Sequence, residues 1–160
     1  MDILRPAHNK VAEPVKSWRS IREEAQELRE FVRRGKFTGN YSKAFAISQA
    51  QVSDKPLRYF VINEDVENGS LKKWFGGWCI MNLRILHAED GIYWKEACMS
   101  FPHREPKNTD RFNKVKVEYR VPFLWGSRKV KRSFKGLPAF VCQHELDHAN
   151  GINLYAKENR

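Results

Sequence analysis

The chain has 160 residues, 41% of them apolar and 12% aromatic, which suits one domain, residues 1–160, with a buried core and argues against extended disorder. Its 29 Lys and Arg against 19 Asp and Glu give a formal charge of +10, a surface that RNA-rich surroundings would attract. No nucleic-acid motif accompanies the charge, so the plainer reading is a solvated basic surface, with no specific nucleic acid expected.

No apolar run reaches the roughly 18 residues that a membrane helix needs, and no membrane partner is expected. The start, Met1 to Pro6, lacks the apolar stretch of a signal peptide and resembles no transit peptide, so a cytosolic protein is expected. Cys79, Cys98 and Cys142 form no disulfide framework, which suits a reducing compartment and leaves each thiol free for packing or metal binding.

In chain order, residues 1–16 read as an extended arm, since Pro6 and Pro14 resist a helix. Ser17 or Ser20 then caps a helix to about Arg34, with Ser20–Glu23 in the form of a capping box and Gly35 as the stop. Ile21, Ala25, Leu28 and Val32 share one face, a core stripe. Lys36 to Ser42 is a loop, and Ala44 to Val52 a turn and short strand with surface amides. Leu57 to Asn63 is a strand, Glu64 to Lys73 a charged turn, and Trp74 to Leu86 one or two strands broken near Gly76-Gly77. Asp90-Gly91 marks a turn before a strand from Ile92 that ends near Cys98. Val115 to Val121 alternates at period two and pairs with Val130–Phe134 across Trp125-Gly126-Ser127. The cluster from Arg128 to Arg132 reads as a solvated strand-and-turn face.

A final helix runs from Leu137 to Asn150, with Pro138 in its first turn and Gly151 just past its end. Two helices flanking successive short strands predict an α+β domain with a mainly antiparallel sheet around that last helix.

The last helix carries His144-Glu145-Leu146-Asp147-His148. Histidines at i and i+4 leave one face about a turn apart and can grip one divalent cation. Glu145, about 100° round the helix, can reach a water beside the ion without ligating it. An open metal site needs a third protein ligand: a cysteine, an acidic residue or another histidine. Glu158 follows His148 in what reads as a frayed end, and His8, His87 and His103 lack a supporting pattern. Cys142 points some 200° away from His144, and both it and Cys79 read as packing residues. Cys98, where a strand ends at a turn, remains.

Three separated stretches resemble the peptide deformylase family. Gln143-His144-Glu145-Leu146-Asp147-His148 matches its Q-H-E-x-D-H motif intact, Glu96-Ala97-Cys98-Met99-Ser100 is similar to E-G-C-L-S, and Ala44 to Gln51 partly meets G-x-G-x-A-A-x-Q. The resemblance implies that Cys98, His144 and His148 bind one divalent metal ion, with Fe(II) favoured and Zn(II), Ni(II) or Co(II) also able to occupy the site. It implies Glu145 as general base and acid, and the Gln51 amide and Met99 backbone N–H as oxyanion donors. Phe45, Trp94, Leu137, Phe140 and Val141 would line an apolar methionine pocket. Glu96 and Asp147 would hold ligands and loops in place.

The implied activity is hydrolysis of the N-formyl group from formyl-methionyl nascent peptides, releasing formate, by a monomer with transient ribosome proximity. Three family glycines are alanines here, Ala44, Ala46 and Ala97, which would narrow the cleft or shift peptide preference. The chain ends soon after its last helix, as in short members encoded by bacteriophages, so ribosome docking through a further helix is not expected. Two rivals stay open: a metallopeptidase cleaving internal bonds, and a basic RNA- or ribosome-associated protein with a structural metal.

Overall fold

The structure is a computed structural model and describes residues 10–35 and 43–155. The expected loop from Lys36 to Ser42, most of the N-terminal arm, His8 and Glu158 lie outside the described residues. Helix α1 spans Trp18–Arg34, and Ser17 caps it, its Oγ accepting from the Arg19 N–H at 3.2 Å. The helix therefore starts three residues before the Ser20–Glu23 pattern, and the Ser20 hydroxyl instead donates to the Ser17 carbonyl. Ile21, Ala25, Leu28 and Val32 are all buried, so the stripe is core as expected.

Five strands form one antiparallel sheet in chain order: β1 (Ala46–Ser48), β2 (Tyr59–Ile62), β3 (Cys79–Glu96), β4 (Lys107–Phe123) and β5 (Gly126–Lys135). The α+β class and the antiparallel pairing hold, but β3, β4 and β5 are longer than the short strands expected. Asp90-Gly91 is not a turn: Asp90 takes a φ of 65° inside β3, and pairing with β4 continues through Gly91 opposite Phe112. The β4–β5 hairpin turns on Leu124 and Trp125, one position before the expected turn, with Phe123 opposite Gly126.

The charged stretch from Glu64 holds a one-turn helix at Glu67–Gly69 and a short helix α2, Ser70–Phe75. α2 consumes the first residues of the strand expected from Trp74, and Gly76 closes it at φ 70°.

Helix α3, Leu137–Ala149, lies on the inner face of the sheet. Pro138 sits in its first turn, where a missing N–H is harmless, and Gly151 at φ 69° follows its end. Ala139, Val141 and Cys142 pack with Phe60, Ile80, Val117 and Tyr119 into the main core. Cys142 thus points away from the histidines, and Cys79 is buried under α1, as a packing role requires. The Gln143 amide straps α3 to β4: Nε2 donates to the Phe112 carbonyl at 2.8 Å and Oε1 accepts from the Phe112 N–H at 2.9 Å. That strap fixes both the height and the rotation of the helix, and with them where its histidines point.

Candidate active site

Three chain segments meet at one end of α3. His144 and His148 project one turn apart, and their Nε2 atoms lie 3.2 Å from each other. Cys98 follows the end of β3, where a turn bonds the Phe101 N–H to its carbonyl, and its Sγ stands 3.3 Å from His148 Nε2. All three donor atoms lie within 4.8 Å of one another. Thiolate and imidazole bond lengths around a tetrahedral ion call for donors roughly 3.3–3.6 Å apart. The donor set and its spacing therefore fit one divalent ion. His87 is not part of it; its ring is exposed beside Glu89 on β3.

Electrostatics favour the ligand form of the sulfur. Burial alone would raise the Cys98 pKa, but the charge of His148 and hydrogen bonds from His144 and His148 outweigh it and hold the thiol well below its ordinary range. Burial would lower the His144 pKa, yet bonds to Cys98 and Glu96 hold it well above the usual imidazole value. The His144 Nδ1–H donates to Glu96 Oε2 at 2.9 Å, leaving Nε2 to face Cys98 and His148.

Glu96, the last residue of β3, is buried and its pKa falls to about 2. Burial raises it, but the His144 hydrogen bond and charge, Arg111 and Thr109 more than reverse that effect. Arg111 donates through Nε to Glu96 Oε1 at 2.9 Å and through Nη1 to Asp147 Oδ2 at 2.7 Å. Asp147 and Glu96 thus share one buried guanidinium. Arg111 was missed from sequence, though a signal existed: extending the alternation of Val115 to Val121 backwards puts this arginine on the inward, apolar row of β4.

Glu145 is buried, and its Oε2 has no hydrogen-bond partner among the described residues. Burial raises its pKa more than the nearby imidazoles lower it. An orphaned buried carboxylate oxygen beside two imidazoles and a thiol is costly unless it meets water, a ligand or a proton.

Gln51 approaches from a one-turn helix, Gln49–Gln51, that follows β1. Its Oε1 accepts from the Ser48 N–H at 2.9 Å, which turns Nε2 toward Ser100 Oγ at 3.0 Å and Cys98 Sγ at 3.8 Å. Gln49 and Gln51 are both buried, so the expected surface amides are internal. Gln49 instead ties α1 to this segment, donating to Glu24 at 2.9 Å while its Oε1 accepts from the Leu57 N–H.

A cavity of about 380 Å³ opens over this cluster. Phe45, Trp94, Leu137, Phe140 and Val141 all line it, together with Gln51, Met99, Glu96, His144 and Glu145. Trp94 and Phe140 stack with ring centroids 4.1 Å apart. Ala44, Ala46 and Ala97 border the same space, and Ala44 and Ala46 also pack into the two core clusters beside it. Lys43, Lys95 and Pro106 also line it, and sequence reading did not single them out.

The fold has solved counterparts. The deformylase (PDF) of a Vibrio parahaemolyticus bacteriophage superposes with a TM-score of 0.73 at 24% identity, over 96% of this chain and all of that one. Thermotoga maritima peptide deformylase gives a TM-score of 0.73 at 24% identity, covering 94% and 92% of the two chains. Among curated proteins, Helicobacter acinonychis peptide deformylase is 35% identical over 114 residues, 69% of this chain and 60% of that protein. Aquifex aeolicus peptide deformylase is 40% identical over 79 residues, 47% of this chain and 42% of that protein. The matches therefore cover less than two thirds of these relatives' length. The polypeptide deformylase family profile matches residues 2–160, nearly the whole sequence, and on that match the chain belongs to the polypeptide deformylase family.

Proposed function

We propose that this protein, acting as a single catalytic domain and a cytosolic monomer, hydrolyses the formyl group from the N-terminus of formyl-methionyl nascent peptides and releases formate. One observation carries the reading: Cys98, His144 and His148 converge beside the carboxylate oxygen of Glu145 that has no partner among the described residues, under a cavity of about 380 Å³ with a largely apolar wall.

Cys98, His144 and His148 would hold one divalent ion, with Fe(II) favoured and Zn(II), Ni(II) and Co(II) as alternatives suited to the same donors. Bound there, such an ion polarises a carbonyl oxygen and acidifies water. Glu96 and Asp147, joined through Arg111, keep the His144 ring turned so that its Nε2 faces the other donors.

Glu145 takes a proton from the attacking water at its free Oε2, as the oxygen of that water bonds to the formyl carbon. Negative charge then builds on the formyl oxygen. The Gln51 Nε2–H, aimed into the site by the Ser48 N–H on its other end, and the Met99 backbone N–H donate to it. Glu145 returns the proton to the departing nitrogen as the C–N bond breaks, leaving formate and a free amine. Phe45, Trp94, Leu137, Phe140 and Val141 receive the methionine side chain, whose flexible thioether suits an aromatic and aliphatic wall.

The test is formate release from a formyl-Met dipeptide by anaerobically prepared protein, beside an unformylated control peptide. Formate release without internal cleavage supports the reading. Cleavage of the unformylated peptide would make the protein a peptidase instead.

A further inference from the structure

The sheet face opposite α3 carries a charge excess that hydrolysis does not use. α1 covers this face over β2 and the start of β3, packing Ile21, Ala25 and Leu28 with Tyr59, Val61 and Met81. Beyond it, the outward positions are Arg84 of β3, Lys114 and Lys116 of β4, and Lys129, Lys131 and Lys135 of β5, all exposed. The register groups them: Glu118 pairs with both Arg84 and Lys131, and Lys114 with Lys135.

Three carboxylates share the face, Glu118, Glu89 and Asp110, the last at the far end of the β4 row beyond Phe112, and they do not balance its six cations. Glu118 lies 2.8 Å from Arg84, 3.4 Å from Lys131 and 3.6 Å from Lys129, one negative charge against three cations. Glu89 stands 3.4 Å from Lys114. Lys116 and Lys135 meet no carboxylate among the described residues.

Exposed aromatic rings bracket the lysine rows. Phe112 continues the outward row of β4 at 45% exposure, and Trp125 stands at the hairpin turn at 78%. Outward side chains two apart on a strand are roughly 7 Å from each other, and neighbours across strands roughly 5 Å. One extended phosphate chain can therefore meet several cations at once, with π faces available at either end.

We propose that this outer face binds single-stranded RNA, its lysines meeting phosphates while Phe112 and Trp125 stack on bases. The layout suits an extended polyanion, because cations two residues apart on neighbouring strands can each meet a successive phosphate. The exposed apolar hairpin tip of Phe123, Leu124 and Trp125 makes an anionic bilayer the rival that the vesicle arm of the test decides.

The test is fluorescence anisotropy of a labelled oligouridylate at about 50 mM salt and upward, with sedimentation of phosphatidylserine-containing vesicles alongside. The wild-type protein is expected to bind the RNA with strong salt dependence. The Lys116→Gln/Lys129→Gln/Lys131→Gln variant is expected to bind about tenfold or more weakly, with a log–log salt slope lower by about two. Its circular dichroism and its formate release should be unchanged. Neutralising lysines elsewhere, Lys16→Gln/Lys55→Gln, should leave affinity within about twofold. The proposal is overturned if the wild-type protein leaves the RNA free, if both variants lose affinity equally, or if it sediments with vesicles while ignoring RNA.

Discussion

His144 Nδ1 stands 2.9 Å from Glu96 Oε2, so a residue at the end of a strand sets the orientation of a ring on the last helix. Glu96 is in turn held by Arg111, which also grips Asp147 one turn along α3. Three elements are thus locked around the same imidazole.

Removing the guanidinium should expose what it balances. Arg111→Met leaves Glu96 and Asp147 as neighbouring carboxylates without their shared cation. A loss of about 3–5 kcal/mol is expected, because breaking a buried pair from one side strands the other charge. Denaturant unfolding measures it; a loss under about 1 kcal/mol would show that water already solvates the pair.

Glu96→Gln keeps the shape and removes the charge that His144 donates to. Metal affinity or activity is expected to fall about 10–100-fold, with the fold intact. Competition with a chelator reads the affinity. An unchanged metal affinity and turnover would mean that His144 is oriented by other contacts.

How much of this was readable from residues alone varies with distance along the chain. His144 and His148 share a face because the helical repeat puts i and i+4 together, and caps at Pro138 and Gly151 bound that helix in sequence as they do in space. Cys98 meets His148 across 50 residues, a contact that no local period encodes. α2 was hidden because six residues between Gly69 and Gly76 are too few to display a period. The length of β3 was hidden because register shifts between Met81 and Arg84, and between Ile85 and His87, break the alternation that would have traced it. The buried glutamines were misread as surface amides since Gln49 bonds Glu24 and Leu57 and Gln51 reaches Cys98 and Ser100, partners that other segments bring in.

Gln51 should matter to the rate more than to binding. Gln51→Leu is expected to lower kcat on the order of 10²-fold with little change in KM, as for loss of one oxyanion donor. Steady-state kinetics on a formyl-Met peptide decide it; a rise in KM at constant kcat would move Gln51 to ordinary substrate binding.

Trp94→Ala removes one half of the ring stack with Phe140 that walls the cavity. KM for formyl-Met peptides is expected to rise about tenfold, while formyl-Ala peptides are barely affected, because only the longer side chain uses that wall. Equal losses on both substrates would indicate general collapse of the cavity.

Acid stability has a separate origin. Burial raises the Glu64 pKa, but hydrogen bonds from Lys72 and Arg29 lower it further, so its net shift is downward from 4.5. A depressed folded pKa contributes stability that is present above the unfolded value and lost as pH falls through the folded one. Glu64→Gln is therefore expected to lower Tm at neutral pH and to flatten its decline below about pH 4.5. Thermal melts across that range test it; a parallel decline in both proteins would assign the acid limb to other carboxylates.

The central claim is that Glu145 moves the proton beside an ion held by Cys98, His144 and His148. Its most direct measurement combines metal content with formate release in a Glu145→Gln protein. The account expects one ion per chain, as in the wild type, with turnover nearly abolished. Near-normal formate release by that variant, with the metal in place, would contradict it.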